Sequence, residues 1–170
     1  MSDNETREVF VTGLKNAHAM ENQALSIMKP QLSRVENYPE VAEKLQQHIT
    51  ETEGQISRIE EILSGLSEGH STLKDMALSF SGAMAAVGHT VAGDEILKNS
   101  FANFAFENFE IAAYKSLITV AEAGGFNAAV LGLRANLDEE KAMADWLDAN
   151  LAAVTTKFLS LREAGERAKV

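Results

Sequence analysis

The stretch Glu107-Asn108-Phe109-Glu110-Ile111-Ala112-Ala113-Tyr114 decides how this chain is read. Taken as helix, it sets Glu107 inside an apolar stripe of Phe104, Ile111, Tyr114, Ile118 and Ala121, spaced by threes and fours. Glu110 follows one turn later, about 60° around the axis. Carboxylates on a buried helical face are costly unless something compensates them, and a metal ion can. Acids at the same depth on neighbouring helices would complete such a site.

The helix that carries this stretch is predicted from Asp94, its cap, to Ala123, where Gly124-Gly125 stop it. A fourth helix is expected from about Phe126 to Ala168. Its stripe is Val130, Leu133, Leu137, Glu140, Ala144, Leu147, Leu151, Val154 and Phe158, with Glu140 inside the apolar row and Glu139 turned to solvent. Toward the N-terminus, Ser2 and Glu5 have capping-box spacing. They open a first helix over roughly 3–34, with Pro30 kinking or ending its last turns. Glu21 stands in its stripe of Phe10, Leu14, Ala17, Leu25, Met28 and Leu32. Asn37-Tyr38-Pro39-Glu40 starts a second helix, with Asn37 as cap, that ends near Gly65. Its stripe is Val41, Leu45, Ile49, Thr52, Ile56, Ile59 and Leu63, flanked by His48, Glu51, Glu53 and Gln55. Glu40 and Lys44 have the spacing of a solvent-side pair.

Residues 66–93 are punctuated by Gly69, Gly82, Gly88 and Gly93 and read as a long connection holding one or two short helices. Its length suits a crossover along a bundle. The expectation is an all-α single domain over residues 1–170: a four-helix bundle with one long crossover.

Composition narrows the function. The chain has 170 residues, 45% of them hydrophobic, enough for a substantial core. A net charge of −10 argues against nucleic acid or an anionic membrane as partner and suits a protein that attracts cations. The absence of cysteine excludes disulfides, thiolate metal sites and cysteine catalysis. No signal-peptide core or bilayer-length apolar run is present, so a cytoplasmic location is the default. There is no phosphate loop or nucleotide fingerprint.

Three helices thus carry a mid-stripe glutamate: Glu21, Glu107 and Glu140. The second offers Glu51 and Glu53 beside Thr52, and His48 one turn before. Oxygen ligands of this kind suit iron, manganese and other divalent cations. The fit to paired Glu-x-x-His motifs is partial, because +3 from Glu140 is Met143 and +3 from Glu53 is Ile56. A lone mid-stripe glutamate can also bend its stem to the surface, and His48 can be a hydrogen-bonded core residue. The coincidence of three acids at matched depth favours a site.

At these residues the chain resembles the bacterial YciE/YciF stress-protein family of the ferritin-like superfamily. The resemblance lies in Glu107 to Tyr114, in His48-Ile-Thr-Glu-Thr-Glu-Gly-Gln55 with Arg58, in Leu14 through Glu21-Asn-Gln23, and in Leu137-Asp-Glu-Glu-Lys141. It implies a homodimer of ferritin-like bundles, each with a dinuclear metal centre. The ligands it implies are Glu21, Glu107, Glu110 and Glu140, with Glu51 or Glu53 from the second helix and His48 nearby. Two divalent ions are expected, iron first and manganese or zinc as alternatives. If catalytic, the chemistry would be oxygen- or peroxide-dependent oxidation of ferrous iron. The competing reading is a metal-free structural or protein-interaction module of the stress response. Its carboxylates would pair with His48, Arg58, Tyr114 or one another.

Overall fold

The computed structural model describes residues 3–67 and 92–170. Among them the regular elements are four helices: α1, Asp3–Leu32; α2, Pro39–Gly65; α3, Glu95–Ala123; and α4, Asn127–Glu163. The Ser2 cap and the short helices expected in the connection lie outside the described residues.

Short corners make α1 with α2, and α3 with α4, antiparallel hairpins. Gly13 lies against Leu117 and Gln31 bonds Asn103, so α1 and α3 are antiparallel as well. Glu40 meets Lys157 and Arg58 meets Asn136, which makes α2 and α4 antiparallel. It follows that α2 and α3 run the same way, and the end of one lies at the opposite end of the bundle from the start of the other. A crossover is therefore required, as the glycine-punctuated length suggested.

The helix ends have local causes. At the α3–α4 corner Gly125 takes φ 72°. The amides of Gly125 and Phe126 reach back to the carbonyls of Glu122 and Ala121, the paired bonds of a Schellman stop. A Cβ on Gly124 would fall 2.4 Å from the Phe126 ring, which stacks on Phe10 with centroids 4.5 Å apart. The same stop recurs at Gly165, where Glu166 bonds Leu161 and Gly165 bonds Arg162. This ends α4 at Glu163, five residues before the expected Ala168. The freed tail packs across the α1–α2 corner, with Ala168 and Val170 buried. Asn37, expected to cap α2, instead ties this tail: its side chain donates to the Arg167 carbonyl and its amide to that of Val170.

One apolar core unites the four helices, from Phe10 and Leu14 through Ile59 and Tyr114 to Leu133 and Val154. Three sequence expectations need correction. Phe104 and Ile111 are only partly buried, and Phe106 and Leu117 take their places in the α3 core. Ile56 likewise yields to Gln55, which is fully buried. Glu40 pairs with Lys157 at 3.3 Å rather than with Lys44, which is itself buried.

Candidate metal centre

Halfway along the bundle all four helices turn an ionisable side chain inward. Glu21 from α1, His48 from α2, Glu107 and Glu110 from α3 and Glu140 from α4 are each at most 3% exposed. His48 Nε2 lies 3.2 Å from a Glu107 carboxylate oxygen and 3.4 Å from one of Glu140. One ligand atom from each of these three residues falls within 4.8 Å of the others. Glu110 is close enough to Glu21, Glu140 and Glu107 to feel the charge of each.

This interior is rich in negative groups and poor in positive ones. Burial, then the neighbouring Glu140, drives the Glu21 carboxyl well above its ordinary range, against the Tyr114 hydrogen bond. Burial and the charges of Glu21, Glu140 and Glu107 do the same to Glu110. Glu107 is pushed up to about 8 by burial, although His48 pulls the other way. Burial alone would lower the His48 pKa. The bonds to Glu107, Glu140 and Glu51 prevail and push it up to about 12, so the imidazole carries a proton on each nitrogen. Glu51 takes the Nδ1 proton at 3.0 Å and is held below its usual range by that contact.

The donor set fits a divalent cation. Both oxygens of Glu110, Oε1 of Glu140 and Oε2 of Glu21 are buried without a hydrogen-bond partner, and Oε2 of Glu107 and Oε2 of Glu140 have only His48 Nε2, at 3.2 and 3.4 Å. Buried polar atoms left so are uncommon in folded proteins, and a cation among them would satisfy them. A narrow cleft between α1 and α3, walled by Ala24, Ile27, Met28, Ala102, Asn103 and Phe106, reaches Glu107.

The sequence-predicted residues divide into two groups. Glu21, His48, Glu107, Glu110 and Glu140 meet. Glu51 stands behind His48, one side chain removed from the cluster. Glu53 does not join it: its side chain is 54% exposed and binds Lys29 at 2.8 Å. Helical phase explains this, because Glu53 lies about 140° from His48 around α2. Thr52 is buried but spends its hydroxyl on the His48 carbonyl at 2.9 Å. Glu139, expected in solvent, instead grips Arg58 with both oxygens, at 2.9 and 2.6 Å, and accepts from Gln55. Asn136 was missed altogether. It is fully buried one turn before Glu140 and donates to the Tyr114 hydroxyl at 2.9 Å. Its position on the Leu133–Leu137–Glu140 face was the available signal.

An up-down-down-up bundle with acids at its centre is a ferritin-like architecture. A family model described as a domain of unknown function, DUF892, matches residues 5–160, and the chain belongs to that family. The relatives are those the motifs suggested. Protein YciF of Escherichia coli K12 is 29% identical over 143 residues, covering 79% of this chain and 83% of YciF. Among solved structures, a protein of Xanthomonas campestris pv. campestris superposes with a TM-score of 0.77 at 29% identity, over 93% of this chain and 99% of that one. The E. coli stress protein YciF superposes at 0.66 with 23% identity, over 86% and 94%. No helix of the described residues is long and apolar enough to cross a membrane.

Proposed function

We propose that this protein binds two divalent metal ions, iron first among the candidates, in the centre of its bundle. The observation that carries the reading is the set of buried oxygens on Glu21, Glu110 and Glu140 that have no partner, beside a Glu107 oxygen that meets only His48. His48, Glu107 and Glu140 would hold one ion; Glu21 and Glu110, with Glu140 at hand, offer an all-oxygen setting for the second. Bound iron would supply oxygen- or peroxide-dependent oxidation of ferrous ion, in keeping with a relative described as a stress protein. For its part the chain strips water from the carboxylates and presents them in fixed rotamers. Glu51 holds the His48 ring by Nδ1, leaving Nε2 directed at Glu107 and Glu140. Metal binding requires His48 to give up its Nε2 proton, so uptake releases protons and weakens in acid.

The proposed setting is a cytoplasmic homodimer. Phe101, Ala105, Asn108, Phe109 and Ala112 face outward from α3 without a charge among them. Phe109 also lines a groove of about 410 Å³ between α1 and α3, with Val9, Gly13, Ala17 and Val120. An uncharged face on a chain of net charge −10 is where a second copy meets least repulsion. Sedimentation tests it: Phe109→Glu should convert dimer to monomer.

The metal-free alternative also has an observation in its favour. A doubly protonated His48 and carboxyls raised by burial make a cluster that can neutralise itself. Elemental analysis separates the two readings. Protein from iron-replete cells, purified without chelator, should carry stoichiometric metal, and Glu107→Ala should lose it. Wild-type protein without metal favours the interaction module.

A further inference from the structure

We propose that Arg58, Asn136 and Tyr114 form a positioning chain that fixes Glu21 as a one-oxygen metal ligand, with Oε2 as the oxygen given to the ion. The inference rests on the metal-binding reading above and deepens it.

The chain begins at the rim and ends in the core, with a part on every helix. Glu139 on α4 clamps Arg58 of α2 by two hydrogen bonds. Arg58 Nη1 donates to Asn136 Oδ1. Asn136 Nδ2 donates to the Tyr114 oxygen at 2.9 Å, and the Tyr114 hydroxyl donates to Glu21 Oε1.

Donor chemistry gives this chain one direction. A guanidinium only donates, so the amide of Asn136 must turn its oxygen to Arg58 and its nitrogen to Tyr114. The phenol oxygen is then occupied as an acceptor, and its single proton must go to Glu21. With Glu21 ionised, as a metal ligand must be, no amide flip or hydroxyl rotation satisfies all three contacts another way. Of the Glu21 oxygens, Oε1 is therefore engaged while Oε2 is buried and has no partner. A carboxylate held so offers one oxygen and resists chelating with both. Tyr114 itself is kept from a ligand role, because its proton is held by Glu21 and one lone pair by Asn136.

Cobalt(II) is the probe, since its visible absorption weakens as coordination number rises. Metal-free wild type, Tyr114→Phe and Arg58→Leu are titrated with cobalt(II), and folding is checked by circular dichroism. Tyr114→Phe should bind roughly 10- to 100-fold more weakly. Its visible band should also lose intensity, as a released Glu21 chelates. Arg58→Leu should shift both readings the same way by less, and it decides the matter if Tyr114→Phe does not fold. Equal affinity and an unchanged spectrum in the folded variants would overturn the positioning chain and leave metal binding standing. Absence of cobalt binding by wild type would overturn the metal reading and this assignment with it. A phenolate-to-iron charge-transfer band in ferric wild type would make Tyr114 a ligand and overturn this assignment alone.

Discussion

Glu95 and Glu110 are both buried glutamates on α3, about four turns apart, and their surroundings differ in one respect. Glu95 has cations beside it: Arg34 Nε at 2.8 Å and Lys169 Nζ at 3.2 Å. Burial works against its charge, yet the two cations hold its carboxyl below the ordinary range. Glu110 has three more carboxylates for neighbours and no cationic side chain in contact among the described residues, and its carboxyl is driven up. The chain thus supplies two cations to the one acid that fastens the tail, and at the centre sets His48 alone against Glu107 and Glu140. A structural acid is complete without an ion; on the metal-binding reading, the central acids are not.

The largest effect should come from supplying the missing charge. Ferrous or manganous ion at a thousandfold excess over its dissociation constant should stabilise the fold by about 4 kcal/mol per site. In differential scanning calorimetry that is a rise of roughly 8–16 °C for a chain of this size. Glu110→Gln should remove the second ion's share of the rise while leaving the metal-free melt within about 0.5 kcal/mol, because burial and acidic neighbours already drive its carboxyl up.

The pH dependence of metal-free protein comes next. Folding raises Glu107 from 4.5 to about 8. Its contribution is whole below 4.5 and is lost as pH rises through about 8. His48, raised from 6.5 to about 12, contributes below 6.5 and loses that as pH climbs, adding to the same slope. Glu95 is shifted downward, so its contribution is present above 4.5 and lost as pH falls through its lowered value. Urea unfolding should therefore show a loss of a few kcal/mol between pH 5 and pH 8, flattened by Glu107→Gln.

Removing the structural acid should cost less. Glu95→Ala strips two charged hydrogen-bond donors of their partner and should lower stability by about 2 kcal/mol in urea. The stabilisation by metal should survive unchanged, and its loss would merge the two regions into one system. Smallest of all, Glu53→Gln should alter stability by less than about 0.5 kcal/mol and metal affinity not at all, since Glu53 meets only Lys29 at the surface.

The four helices were legible because their punctuation is local: Gly124-Gly125, Pro39 and three-and-four spacing act within a turn or two. Glu21, Glu107 and Glu140 were legible because an acid in an apolar row contradicts its surroundings. What escaped depends on partners distant in sequence. Asn136 and Glu139 are ordinary polar residues until Arg58 and Tyr114 are folded against them. The tail that reaches Glu95 through Lys169 lies 74 positions further along the chain. Glu53 was offered beside Glu51 because proximity in sequence does not resolve the phase of a helix.

The order of the helices has one more consequence. The first hairpin supplies Glu21 and His48, and the second supplies Glu107, Glu110 and Glu140. Neither hairpin owns the full set of proposed ligands, so an ion bound at the centre would rivet the two together. Chelation should loosen their docking before it melts either one. Hydrogen exchange would then quicken first along the seam between α1 and α3 and between α2 and α4, while the corners at Tyr38 and Gly125 stay protected.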